Sequence, residues 1–172
     1  MKRTALAVVL MFLTLGCTTK KPAALAPAKG APDFVLENIR GGKLKSVDLK
    51  GKVAVIDFWA TWCDPCKAEV PHYNKLKQDY QGKDVAVIGI AIESPYKDIA
   101  PTMKEVGINY TVLVGNDNVV DGFGGVIGYP TTYVVTKDWK IYKKYMGALS
   151  DKDARIRKDI DKLLAESADS AD

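Results

Sequence analysis

The chain of 172 residues has one histidine, His72, and three cysteines, Cys17, Cys63 and Cys66. A single imidazole excludes a histidine-rich metal site. Three cysteines are too few for a disulfide-stapled scaffold, so each needs its own explanation. Charge of one sign is also scarce. Lys plus Arg number 25 against 21 Asp plus Glu, and two of the positives are Lys2 and Arg3. No basic run remains that could grip phosphates, which argues against nucleic-acid binding. No apolar run reaches the roughly 20 residues of a membrane-crossing helix. No internal repeat is visible, and the stretch from Gly122 to Gly128 lacks a phosphate-loop or dinucleotide pattern. What is present suffices for one domain with a real core.

Lys2 and Arg3 precede a short apolar run, Ala5 to Leu13, that closes at Thr14-Leu15-Gly16-Cys17. A positive flank, a short apolar segment and a small residue before the cleavage point identify residues 1–16 as an export signal. Gly16-Cys17 resembles the end of a bacterial lipoprotein signal, although Thr14 and Leu15 stand where that family prefers an aliphatic and a small residue. The resemblance implies a lipid on Cys17 and attachment to a membrane, which leaves Cys63 and Cys66 as free thiols. Residues 17–30, rich in Pro, Ala and Lys without periodicity, read as a flexible tether. The folded domain is expected over 31–166, with a disordered tail over 167–172.

Within that domain, Gly41-Gly42 signals a hairpin turn and Leu44 to Leu49 alternates loosely. Val53 to Phe58 and Val85 to Ile92 are continuous apolar runs of strand length, hence buried strands. Pro65 to Tyr80 is expected to be helical, with Cys66, Val70, Tyr73, Leu76 or Lys77, and Tyr80 on one face and a kink at Pro71. A helix over Pro95 to Val106 stops at Gly107. Tyr110 to Val114 is a short strand and Val119 to Gly125 a short helix or loop. Thr131 to Val135 and Ile141 to Tyr145 form a strand pair. Asp151 to Leu164 is an amphipathic helix with Ile156, Ile160, Leu163 and Leu164 inward. Strands alternating with helices, then a hairpin and a last helix, give a layered α/β arrangement with a mixed sheet.

The chemistry sits at Trp62-Cys63-Asp64-Pro65-Cys66. Two cysteines follow a buried strand and open a helix. At a helix N-terminus, unpaired N–H groups and the helix dipole favour an anion, so Cys63 should form a thiolate readily. Cys66, one turn on, is placed to close a disulfide with it or to resolve a mixed one. A zinc half-site lacks further ligands, and a purely structural disulfide across two residues would contribute little. Asp57, in the middle of an apolar strand, is costly when charged, so its pKa should be raised, unless it points to the polar rim of the sheet. Trp62 should offer exposed apolar surface for docking and Trp59 should be core. His72 reads as a solvated helix residue.

The segment Asp57-Phe58-Trp59-Ala60-Thr61-Trp62-Cys63-Asp64-Pro65-Cys66-Lys67 resembles a thioredoxin active site. With Ala31-Pro32-Asp33-Phe34, Gly51-Lys52, Gly128-Tyr129-Pro130-Thr131-Thr132 and the closing Met146-Gly147-Ala148, the chain is similar to the TlpA/ResA-like family of tethered extracytoplasmic thioredoxin-fold oxidoreductases. The resemblance implies a thioredoxin fold with an N-terminal β-hairpin extension and a central strand/helix insertion. It implies thiol–disulfide exchange with no cofactor beyond the Cys63–Cys66 disulfide and no metal. It makes Tyr129-Pro130 a cis peptide whose flanking backbone meets the incoming polypeptide, and Asp57 a proton carrier for Cys66. In thioredoxins the matching aspartate has a buried lysine partner on the next strand, yet Val85 to Ile92 contains no lysine. Glu69 matches a family glutamate implicated in proton handling; a solvated glutamate in the first helical turns is the competing reading. The family further implies an integral-membrane thiol donor and disulfide-bonded protein targets such as apocytochrome c.

Two rival chemistries fit the residues less well. Ala31-Pro32-Asp33-Phe34 also occurs in peroxiredoxin-like peroxidases, but Ala60 stands where their reactive-site threonine belongs. A metal chaperone on the same fold would space its cysteines wider and add a histidine downstream, and no histidine follows His72.

Overall fold

The structure, a computed structural model, describes residues 29–169. The export segment 1–16, Cys17, the tether as far as residue 28, and residues 170–172 lie outside the described residues. Along the chain come strands β1 (Val35–Asn38), β2 (Lys43–Lys45) and β3 (Val53–Trp59), helix α1 (Asp64–Asp79), strand β4 (Val85–Ala91), helix α2 (Tyr96–Glu105) and strand β5 (Thr111–Val114). Helix α3 (Asp117–Gly122), strands β6 (Thr131–Val135) and β7 (Ile141–Met146), and helix α4 (Lys152–Asp169) follow. Helix α4 therefore extends into the expected tail, as far as Asp169.

The seven strands among the described residues form one mixed sheet in the order β2-β1-β5-β4-β3-β6-β7. β3 is its centre. It pairs in parallel with β4 and antiparallel with β6, and every one of its residues is buried. Its two-residue period sorts the core into two layers. Val53, Val55 and Trp59 face the layer made with α1, α2 and α4, through Tyr73, Leu76, Ile99, Met103, Ile156 and Ile160. Ala54, Ile56 and Phe58 face the other, with Phe34, Leu36, Val119, Phe123 and Trp139. The hairpin β1–β2 does not stand apart, because β1 adds antiparallel to β5 and extends the sheet. The edge strand β7 carries Lys143 and Lys144, charge that discourages pairing with another chain.

The expected strand over Leu44 to Leu49 is realised only at its start. Ser46–Leu49 is a 3₁₀ turn. Side chains divert the backbone there: Ser46 Oγ accepts the Phe34 N–H at 3.1 Å, and Asp48 accepts the Lys45 N–H at 3.1 Å. Such local bonds compete with a β-ladder. Helix α1 starts at Asp64, one residue earlier than expected, and continues through Pro71 as one element. Its buried face is Cys66, Glu69, Val70, Tyr73 and Leu76.

Candidate active site

β3 delivers the chain to the sulfurs, and the loop after β4 fixes how it arrives. Thr61 donates its N–H to Ser94 Oγ at 2.9 Å, and Ser94 donates to the Ile92 carbonyl at 2.9 Å. The Trp62 indole N–H donates to the Glu93 carbonyl at 3.0 Å. Cys63 is the N-cap of α1, and its Sγ accepts the Cys66 N–H at 3.2 Å. That donor is one of the N–H groups a helix start leaves unpaired, so it supports negative charge on Cys63 once the disulfide opens. Pro65 suits the first turn, where no intrahelical N–H is needed. Cys63 and Cys66 are joined as a disulfide. The Asp64 side chain is 91% exposed and pairs with Lys67 at 3.3 Å, so water and a cation both weaken its repulsion of a thiolate.

Trp62 is 58% exposed. Its ring meets Tyr129 edge-on at 5.7 Å between centroids. Tyr129 is half-buried; that burial and the neighbouring Glu93 carboxylate push its phenol up to about 12. The Tyr129-Pro130 peptide is cis, and the Pro130 carbonyl accepts the Gly147 N–H at 2.8 Å. Trp62, next to Cys63 in the chain, is thus in ring contact with the residue that precedes the cis proline, and Trp59 is core.

Asp57 does not point to a polar rim. It is 2% exposed, lies opposite Thr132 in the β3–β6 register, and shares its face of β3 with Val55 and Trp59. Thr132 Oγ1 donates to Asp57 Oδ1 at 2.9 Å. The Tyr73 hydroxyl lies 3.2 Å from the same oxygen, 2.7 Å from Thr132 Oγ1 and 3.4 Å from Glu69 Oε2. Burial pushes the Asp57 carboxyl up to about 7; the Lys152 charge pulls against this, the Glu69 charge adds to it, and the Thr132 and Tyr73 hydrogen bonds pull against it. A carboxyl poised there can take and return a proton near neutral pH.

Glu69 is not solvated. It is buried and ion-paired with Lys152 at 2.7 Å. A cavity of about 310 Å³ opens beside this pair, lined by Pro65, Ala68, His72 and Asp153 among others. His72 is exposed, as expected. Among the described residues, no three His, Cys, Asp or Glu side chains converge as a metal site.

The AhpC/TSA family model matches residues 27–144, more than half of the chain. The chain belongs to this family. The thiol-disulfide oxidoreductase ResA of Geobacillus thermodenitrificans is 29% identical over 153 residues, covering 86% of this chain and 87% of the relative. ResA of Bacillus anthracis is 35% identical over 121 residues, 69% of each chain. A solved thiol:disulfide interchange protein of the thioredoxin family from Chlorobium tepidum superposes with a TM-score of 0.71 at 29% identity, covering 80% of this chain and 99% of its own. The fold is thus thioredoxin-like, and this family member is a thiol-disulfide oxidoreductase of ResA type with Cys63 and Cys66 as its cysteine pair.

Of the residues the sequence singles out, the structure joins Cys63 to Cys66, Asp57 to Glu69 through Tyr73, and Trp62 to Tyr129. Sequence reasoning misses Lys152, Tyr73 and Thr132 as members of the acid network. The thioredoxin pattern puts a buried lysine on β4; the cation comes instead from α4, 83 residues beyond Glu69. One signal is available in the sequence: Lys152 stands four residues before Ile156 on the buried stripe of α4, a place where a helix normally puts an apolar side chain.

Proposed function

We propose that the chain reduces disulfides in other polypeptides outside the cytoplasm, held to a membrane through a lipid on Cys17. The observation that carries the chemistry of this reading is the Cys63–Cys66 pair at the start of α1, next in the chain to an exposed Trp62, together with a protonatable Asp57 buried on β3; the residues up to Cys17 support the location. In the reduced state the Cys63 thiolate attacks a target disulfide. A bond forms between Cys63 and one target sulfur, and the other leaves as a thiolate and takes a proton. Cys66 then gives its proton to ionised Asp57 and attacks Cys63. The Cys63–Cys66 bond forms, and the second target sulfur leaves with the electron pair. The target gains two electrons from the two cysteines; one of its sulfurs takes a proton from water, and the other takes the proton that Cys66 gave to Asp57. Trp62, Tyr129 and the backbone beside Pro130 hold the target segment. Glu69 acts with Asp57 in moving the proton.

The redox group is the disulfide itself. An integral-membrane thiol carrier restores the dithiol. The target class is a polypeptide whose paired cysteines must be reduced before use, such as apocytochrome c before haem attachment. The names of the relatives support thiol–disulfide exchange for the fold. The direction of electron flow rests on the reduction potential, for which about 30 mV corresponds to about 1.4 kcal/mol. Reduction of insulin disulfides by the full chain is the test. Cys63→Ser abolishes turnover, and Cys66→Ala accumulates a mixed disulfide visible by mass spectrometry. Unchanged turnover in Cys63→Ser refutes the mechanism.

A further inference from the structure

Lys152 occupies a position where an apolar residue would serve the fold. It begins α4 on the face carrying Ile156, Ile160 and Leu163, and its side chain is 3% exposed. Its ammonium meets Glu69 Oε2 at 2.7 Å and donates to the Gly147 carbonyl at 3.2 Å. Gly147, at φ +74°, donates its own N–H to the Pro130 carbonyl. One ammonium thus ties together the helix that carries both cysteines, the end of β7 and the segment that opens β6.

The contacts continue inward. Glu69 faces Tyr73, and Tyr73 faces Thr132 and Asp57. Tyr73 and Thr132 hold one hydroxyl proton each, yet four short contacts join them to each other and to the two carboxylates. The two protons cannot serve all four at once. With Asp57 ionised, a relay in which Tyr73 donates to Thr132 and Thr132 to Asp57 satisfies the two shortest contacts, while Lys152 holds Glu69. With Asp57 protonated, Tyr73 is free to turn to Glu69. A buried ion pair adds little to stability over apolar packing, so this one invites a chemical reason.

We propose that Lys152 is a positioning residue for the thiol chemistry, locking Glu69 against the Tyr73–Thr132–Asp57 network and setting the pH at which Asp57 takes the proton of Cys66. The inference rests on the thiol–disulfide reading above. In the resolving step the proton moves from the Cys66 thiol to the Asp57 carboxylate while the Cys63–Cys66 bond forms and the Cys63–target bond breaks. The charge of Lys152 favours ionised Asp57 and that of Glu69 opposes it. The other titratable or charged groups around them are His72 and Tyr73 on α1, Tyr110 ahead of β5, and Asp153 on α4, which Arg157 holds at 2.9 Å. β6 contributes the Thr132 hydroxyl, and the two cysteines complete the set.

The test uses the reduced full chain as wild type, Lys152→Met, Lys152→Gln and Lys152→Arg. Carbon-13 NMR follows the titration of the Asp57 carboxyl, and insulin reduction is measured across the same pH range. Both neutral variants move the Asp57 titration and the acid limb of the rate profile to higher pH by about one unit, a tenfold change in proton affinity. Lys152→Arg returns both to the wild-type pH. Lys152→Gln keeps a donor for Glu69 and Gly147 and removes the charge, so it decides the matter if Lys152→Met does not fold. If wild type reduces insulin and the Asp57 titration is unmoved in Lys152→Gln, the role of Lys152 is refuted alone. If wild type reduces no disulfide, the functional reading beneath it fails.

Discussion

Replacing Asp57 with asparagine tests the buried carboxyl through stability, with no need for a target. Its folded pKa is raised from 3.8 to about 7, with burial the largest cause. The folded protein therefore holds this proton more tightly than the unfolded chain does. The stability Asp57 allows is fully present below about pH 4 and is lost as pH rises through about 7. At 1.36 kcal/mol per pH unit, a carboxyl moved that far costs the fold about 4 kcal/mol once ionised. Hydroxyl rotation and entry of water reduce the figure, so about 4 is an upper bound. The substituted asparagine would not ionise, and its amide oxygen can still accept from Thr132. The advantage of Asp57→Asn over wild type should thus widen by about 2–3 kcal/mol between about pH 5 and about pH 8.5. Urea unfolding of the oxidised proteins at the two pH values measures it, because the disulfide keeps both cysteines from titrating and other groups cancel in the difference. The same substitution removes the proton acceptor and should slow insulin reduction at pH 8 by about tenfold or more. An equal stability difference at both pH values would refute the raised carboxyl and the proton role assigned to it.

Two further substitutions separate docking from packing. Trp62→Ala removes a ring that is 58% exposed but also meets Tyr129 and donates to the Glu93 carbonyl; KM for insulin should rise severalfold while urea unfolding shows a stability loss of only about 1 kcal/mol, the size of one exposed hydrogen bond and one edge contact. Gly89→Ala acts from inside: a Cβ there would sit 3.1 Å from both Trp59 Nε1 and the Tyr110 ring. Overpacking of that kind costs about 1–3 kcal/mol and lowers the urea midpoint.

What can be read from the sequence is whatever depends on near neighbours in the chain. β3 and β4 declare themselves because continuous apolar runs have few other places to go in a mixed sheet. The buried face of α1 follows from helical spacing, which puts Cys66, Val70, Tyr73 and Leu76 together. For Asp57 the apolar run around it leaves burial and a place on the polar rim both open, and the structure decides for burial, on the face of Val55 and Trp59. The failures share a cause. Ser46 and Asp48 turn an expected strand into a 3₁₀ turn through side-chain bonds to the backbone, which alternation cannot register. Glu69 reads equally well as a solvated helix residue because nothing in α1 says that the start of α4 covers it. Thioredoxins keep their lysine one strand away, and Val85 to Ile92 shows only that it is missing there; the requirement is only that a cation reach the buried acids. Several elements of this fold converge on that space, so the cation can enter from more than one of them. Its address is set by packing between distant segments, while the need for it is set locally by the cost of burying Asp57 and Glu69 side by side. A sequence therefore states the electrostatic demand before it reveals the supply, and a charged residue on an otherwise apolar helical stripe is the place to look for it.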